Sequence, residues 1–210
     1  AEWNGFKFKP EYGGSASPEL VNELERHISL AEGSVCVSED ELSVASKKGL
    51  FDYFNPELAY IKHLPSLVDL EGIRRSGLTV VADAMHGAGG GFFTKLIAGG
   101  RTKLIEIRRD PNSAFPGMRQ PEPLSHNLEE LMSIVPRKSA DIGIATDGDA
   151  DRLGIVDERG KFVNTLQVFA LLCLYQLEVL GNRGPLVRSV TMTSMVDRLG
   201  ELYCVPVFET

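Results

Sequence analysis

From residue 78 onward the chain takes on a rhythm that few folds can satisfy. Residues 78–82 (LTVVA), 102–107 (TKLIEI), 141–145 (DIGIA) and 153–156 (LGIV) are short, largely apolar runs with the character of buried strands. Helical patterns at 92–98 and 128–135 separate the first three. Strands without a polar face need cover on both sides, and strands alternating with helices supply it. The run 153–156 turns back through Glu158-Arg159-Gly160 into 161–163 as a hairpin. Thr165 is placed to cap a long apolar helix that stops at Gly181. A last strand–helix–strand unit follows, near 186–190, 195–202 and 203–208. Alone it cannot bury both faces of its strands, so it either joins the preceding layer or opens another domain. The expectation is an α/β fold: a three-layer domain around a mixed, mostly parallel sheet, with partial α/β domains on its flanks.

The first third is less regular. Residues 3–12 alternate aromatic and lysine side chains at strand period, and Gly13-Gly14 breaks the pattern. Ser17-Pro18-Glu19 has the signature of a helix start, with a hydroxyl cap, proline at the first helical position and an early acid. A looser polar stretch covers 33–54. Pro56 opens a second helical pattern, interrupted at Pro65 and resumed over 69–74. Residues 111–123 hold Pro111, Pro116, Pro121 and Pro123 and are expected to form a loop.

Bulk properties narrow the function classes. A net charge of −7 argues against nucleic acid or an anionic membrane as the main partner. The longest apolar run, 168–174, is far short of the ~20 residues of a membrane span, and no signal-peptide pattern opens the sequence. Cys36, Cys173 and Cys204 are odd in number and far apart, which suggests reduced thiols in a cytoplasmic protein. Neither they nor the scattered His27, His63, His86 and His126 have zinc-ligand spacing.

The densest chemistry lies at 146–152, TDGDADR. Asp147, Asp149 and Asp151 repel one another unless a cation sits among them or one takes up a proton. Alternate residues at a strand end point the same way, and Gly148 and Ala150 let the backbone curl. One oxygen from each aspartate can then converge on a hard divalent ion with room left for water or phosphate, which suits Mg²⁺. A solvated acidic turn is the plain alternative. An EF-hand is rejected, because its sixth position needs glycine and holds Arg152, and strand-like runs flank the loop in place of helices. Arg152 could hold phosphate oxygens in a bidentate fork or simply stiffen the loop as an internal ion pair. An aspartate-nucleophile phosphatase would need Thr or Val where Leu153 stands.

TDGDADR followed by Leu153-Gly154-Ile155-Val156-Asp157 resembles the metal loop of the α-D-phosphohexomutases, the family of the phosphoglucomutases and phosphomannomutases. Asn4-Gly5-Phe6-Lys7 resembles the segment shortly after the family's phosphoserine. Residues 81–89 (VADAMHGAG) resemble the first strand and turn of its second domain. Phe115-Pro116-Gly117 with Pro121-Glu122-Pro123 resembles the loop before the metal strand. The resemblance implies that 1–54 is the tail of domain 1, 55–181 a complete domain 2 and 182–210 the start of domain 3. It implies an enzyme that interconverts hexose 1-phosphate and hexose 6-phosphate through a phosphoserine and a bisphosphate. Asp147, Asp149 and Asp151 match the Mg²⁺ ligands, Arg152 the arginine facing the phosphoryl group, and Lys7 a lysine near the phosphoserine. By spacing alone Lys7 would be a surface strand lysine. The motif T-A-S-H-N-P does not occur, and none of Ser15, Ser17, Ser34 or Ser38 stands in a comparable setting. The chain is therefore expected to be an internal piece, inactive alone, with a hexose phosphate as partner of the parent. A phosphoglucosamine mutase and a stand-alone metal or sugar-phosphate module are the alternatives. The glycines at 87–91 miss the GxGxxG spacing and are taken as a structural turn.

Overall fold

The computed structural model describes residues 7–32 and 39–210. The chain divides into two compact units, Ala1–Pro56 and Glu57–Thr210. In the first, helix α1 (Pro18–Ala31) begins as expected: Ser17 Oγ accepts from the Leu20 N–H at 3.4 Å and proline occupies the first turn. Two expectations are corrected in this unit. Residues 7–12 form no strand, and the remainder of that stretch, with Asn4, Gly5 and Phe6, lies outside the described residues, as does Cys36. The stretch 33–54, taken as loose, contains helix α2 (Glu39–Lys47). Leu42 and Val44 stay exposed, so no buried stripe advertises this helix in the sequence.

The second unit opens with α3 (Glu57–His63). Pro65 then falls in a single 3₁₀ turn, Leu64–Ser66, and the chain resumes as α4 (Leu70–Arg75). Asp69 caps α4 by accepting from the Gly72 N–H at 2.7 Å. Next come β1 (Thr79–Asp83), α5 (Phe92–Ile97), β2 (Lys103–Ile107), α6 (Glu129–Arg137), β3 (Ile142–Thr146), β4 (Leu153–Asp157) and β5 (Phe162–Val163). The sheet order is β2-β1-β3-β4-β5. Pairs β1–β2 and β1–β3 are parallel, and the hairpin β4–β5 extends the sheet antiparallel to β3.

Successive residues of a strand point to opposite faces, and both faces here are covered. Val80, Leu104, Ile142 and Ile144 pack with Leu70 and Ile97 from α4 and α5. Val81, Ala145 and Val156 pack on the other face with Leu131 and Val135 of α6. This is a three-layer α/β/α domain. Burying each of these aliphatic side chains contributes ~1.5–3 kcal/mol before conformational entropy is counted.

Helix α7 (Thr165–Leu174) begins at Asn164, one residue before the expected cap, because Asn164 and Gln167 bond reciprocally in a capping box. It continues through a π-helical turn, Tyr175–Val179, to Gly181 at φ +68°. The last unit, β6 (Leu186–Arg188), α8 (Met195–Tyr203) and β7 (Val207–Glu209), forms its own two-stranded parallel sheet. Its core joins α7 through Cys173, Leu177, Val196, Leu199 and Val205. Among the described residues no helix is long and apolar enough to cross a membrane.

Because β1 and β3 are parallel neighbours, their C-terminal ends open on the same edge of the sheet. That edge brings the turn after Asp83 against the loop after Thr146.

Candidate metal centre

The aspartate loop leaves β3 at Thr146 and returns as β4 at Leu153. It is closed at its base by Asp147 N–H to Arg152 O, 3.3 Å, and inside by Ala150 N–H to Asp147 O, 3.2 Å. Ala150 adopts φ +62°, the left-handed conformation that curls the loop so that its acids converge. One oxygen from each of Asp147, Asp149 and Asp151 lies within 4.8 Å of the others. Asp147 is 1% exposed, whereas Asp149 and Asp151 face solvent.

Arg152 fixes the buried member. Its backbone N–H donates to Asp147 Oδ1 at 3.0 Å and its Nε to Oδ2 at 2.7 Å. Burial pushes the Asp147 carboxyl upward in pKa, but these bonds and the guanidinium charge outweigh it and the net shift is downward. Asp151 moves the other way: the charge of Asp149 beside it, then burial and Asp147, raise its pKa. The Arg152 guanidinium is held more firmly protonated by its bonds to Asp147 and Glu122. One carboxylate is thus anchored and ionised, and two exposed ones repel each other. Such an all-oxygen donor set fits a hard divalent cation, which would relieve the repulsion that raises Asp151.

Two other segments shape the loop. The Ala88 N–H donates to Gly148 O at 2.9 Å, and the Gly148 N–H to Pro121 O at 3.0 Å. A Cβ on Gly87 would lie 2.6 Å from Gly148 O and 2.8 Å from Gly148 Cα. The turn at 87–91 is therefore a place of close backbone approach to the acidic loop. A pocket of about 370 Å³ beside the loop is lined by Asp149, Ala150, Gly89 and Phe92 among others. The buried Thr146 Oγ1 at its edge has no hydrogen-bond partner.

Of the residues picked out from sequence, the structure brings Asp147, Asp149, Asp151 and Arg152 together. Lys7 lies in the first unit, exposed and outside any helix or strand. His86 sits at φ +58° with its Nδ1 2.9 Å from Asp110 O, in the strand-end turn. Sequence reasoning missed a second Asp–Arg pair. Asp83, fully buried at the end of β1, holds Arg108 through both oxygens, with Arg108 Nε on Oδ1 at 2.9 Å. The signal was a lone acid closing the apolar run at 79–83.

Residues 58–160 match the family described as phosphoglucomutase/phosphomannomutase, alpha/beta/alpha domain II. A probable phosphoglucosamine mutase of Methanopyrus kandleri is 31% identical over 198 residues, covering 94% of this chain and 41% of the relative. The chain belongs to the α-D-phosphohexomutase family. A phosphoglucomutase/phosphomannomutase of Thermococcus kodakarensis is 34% identical over 142 residues, 68% of this chain and 31% of that protein. A solved structure from Thermus thermophilus, provisionally named a phosphomannomutase, superposes with a TM-score of 0.70 at 32% identity. The match covers 76% of this chain and 37% of that one. The chain thus spans about two fifths of the length of the Methanopyrus relative.

Proposed function

We propose that this chain supplies the metal loop of a phosphohexomutase that interconverts hexose 1-phosphate and hexose 6-phosphate through a phosphoserine and a bisphosphate intermediate. The observation that carries the proposal is the convergence of the three aspartate oxygens within 4.8 Å, next to a guanidinium, in a chain of this family. Asp147, Asp149 and Asp151 would hold Mg²⁺. When bound, the ion supplies positive charge against the transferring phosphoryl group, which is the main demand of phosphoryl transfer. Asp147 anchors the set, and the exposed Asp149 and Asp151 would complete it. Arg152, half-exposed, presents guanidinium N–H donors to phosphate oxygens while its Nε steadies Asp147. Lys7 contributes proton transfer or a phosphate contact near the phosphoserine.

A glucosamine phosphate is the first substrate to try for the parent enzyme, because the Methanopyrus kandleri and Pyrococcus relatives carry the phosphoglucosamine mutase name. None of the serines in the 210 residues lies in a phosphoserine motif, so the isolated chain is expected to bind Mg²⁺ weakly and to turn over nothing. Calorimetric titration with Mg²⁺ tests the site, and Asp149→Asn should weaken binding at least about tenfold, given the charge it removes from a hard-ion site. Equal binding by the variant rejects the loop as the site. Turnover of glucose 1-phosphate by this chain alone rejects the division of labour.

A further inference from the structure

We infer that Glu122 is a positioning residue that holds the Arg152 guanidinium off Asp151 while leaving it bonded to Asp147, an inference that rests on the metal-loop proposal above. Arg152 Nη1 lies 3.1 Å from Glu122 Oε1, while its Nε lies 2.7 Å from Asp147 Oδ2 and only 3.6 Å from Asp151 Oδ1. A long, half-exposed cation beside three carboxylates has an obvious alternative: to swing fully onto Asp151 and occupy the ligand it should leave free. Glu122 is the competing acceptor, bonded through Nη1 and not through Nε. Its pull keeps the guanidinium stretched between Asp147 and loop 111–123.

Glu122 is itself braced, which a chance surface acid would not be. Pro121 and Pro123 flank it and fix the backbone on both sides. Pro121 O accepts from the Gly148 N–H of the metal loop at 3.0 Å. The Glu122 carbonyl accepts from Asn127 Nδ2 at 3.0 Å, and Asn127 is 4% exposed. The Asn127 carbonyl in turn accepts from Arg108 Nη2 at 3.2 Å, and Arg108 is locked by Asp83. A chain of bonds thus runs from the buried pair at the end of β1 to the exposed arginine of the metal loop. Asn127 is the middle link.

The test uses the whole chain, with Mn²⁺ as the probe ion followed by electron paramagnetic resonance, and Glu122→Ala and Arg152→Ala alone and together. With Arg152 present, Glu122→Ala should weaken Mn²⁺ binding about two- to fivefold, the range set by one partly exposed ion pair. With Arg152 already removed, the same change should have no such effect. Equal loss in both backgrounds means that Glu122 acts only through its own charge, and it overturns the inference. A second readout needs no metal. The Arg152 side-chain ¹⁵N signals should show hindered guanidinium rotation in the wild type, hindrance that persists in Glu122→Ala as the group moves onto Asp151 and is freed only when Asp151→Asn is added. Free rotation in the wild type overturns the inference as well. A wild type that binds no Mn²⁺ while keeping hindered rotation rejects the metal-loop proposal and the protective role of Glu122, leaving only the ion pair.

Discussion

The two aspartate–arginine pairs at the edge of the sheet use the same chemistry for opposite ends. Asp83 and Arg108 are both buried, and the pair is closed: each Asp83 oxygen meets the guanidinium, and the Met85 N–H adds a further bond at 2.9 Å. Asp147 is as deeply buried, but Arg152 is 56% exposed and must serve two carboxylates, Asp151 also lying 3.6 Å from its Nε, with Asp149 exposed beside them. The closed pair has nothing left to offer a ligand. The open one keeps unmet negative charge and an accessible guanidinium edge. Burial of the arginine, not of the aspartate, separates a structural pin from a site.

That contrast can be broken most directly at Arg108. Arg108→Ala leaves the Asp83 carboxylate uncompensated in the core, so unfolding in denaturant should show a loss of about 3–5 kcal/mol. A loss under ~1 kcal/mol, the scale of an exposed pair, would mean that water reaches Asp83 and the pin is no pin. A smaller effect is expected at Gly87→Ala, whose new methyl would press on the Gly148 backbone. It should cost about 1–3 kcal/mol by overpacking and weaken divalent-ion binding too, since the displaced segment is the acidic loop. Intact metal binding in a destabilised Gly87→Ala variant would uncouple the turn from the site. The smallest change is expected at Arg152→Ala, whose guanidinium is already half-solvated, so the thermal midpoint should fall by less than in either other variant although Asp147 loses a partner. Raising salt should narrow the gap between the wild type and this variant, because the half-exposed pair that only the wild type holds is screened. A drop on the scale of Arg108→Ala would erase the distinction between the two pairs.

Much of this architecture was legible because it depends on local period. The runs at 78–82, 102–107 and 141–145 declare strands covered on both faces, and Ser17-Pro18 declares its helix. The acidic loop was legible from its composition, three acids spaced by small residues, although their convergence comes from a turn at Ala150 and not from strand alternation. What stayed hidden depends on partners distant in sequence. Arg108 reaches Asp83 only once β1 and β2 are paired in register, with Asp83 opposite Ile107. Glu122 meets Arg152 across 30 positions, through a loop without periodicity. Helix α2 was missed because its apolar side chains Leu42 and Val44 are not buried. The cap of α7 was placed one residue late because Asn164 and Thr165 are both good caps, and only the reach of Gln167 separates them.

Ala150 carries a last consequence. An L-residue held in the left-handed region costs on the order of 1–2 kcal/mol where glycine would cost almost nothing. The methyl also denies the loop many of the shapes that a glycine would sample between visits of a ligand. The cation proposed for this loop would then call for little rearrangement of the main chain, since most of the ordering entropy has been spent during folding. On the metal-loop proposal, the acidic loop would be less a net that closes on its ion than a socket cut beforehand.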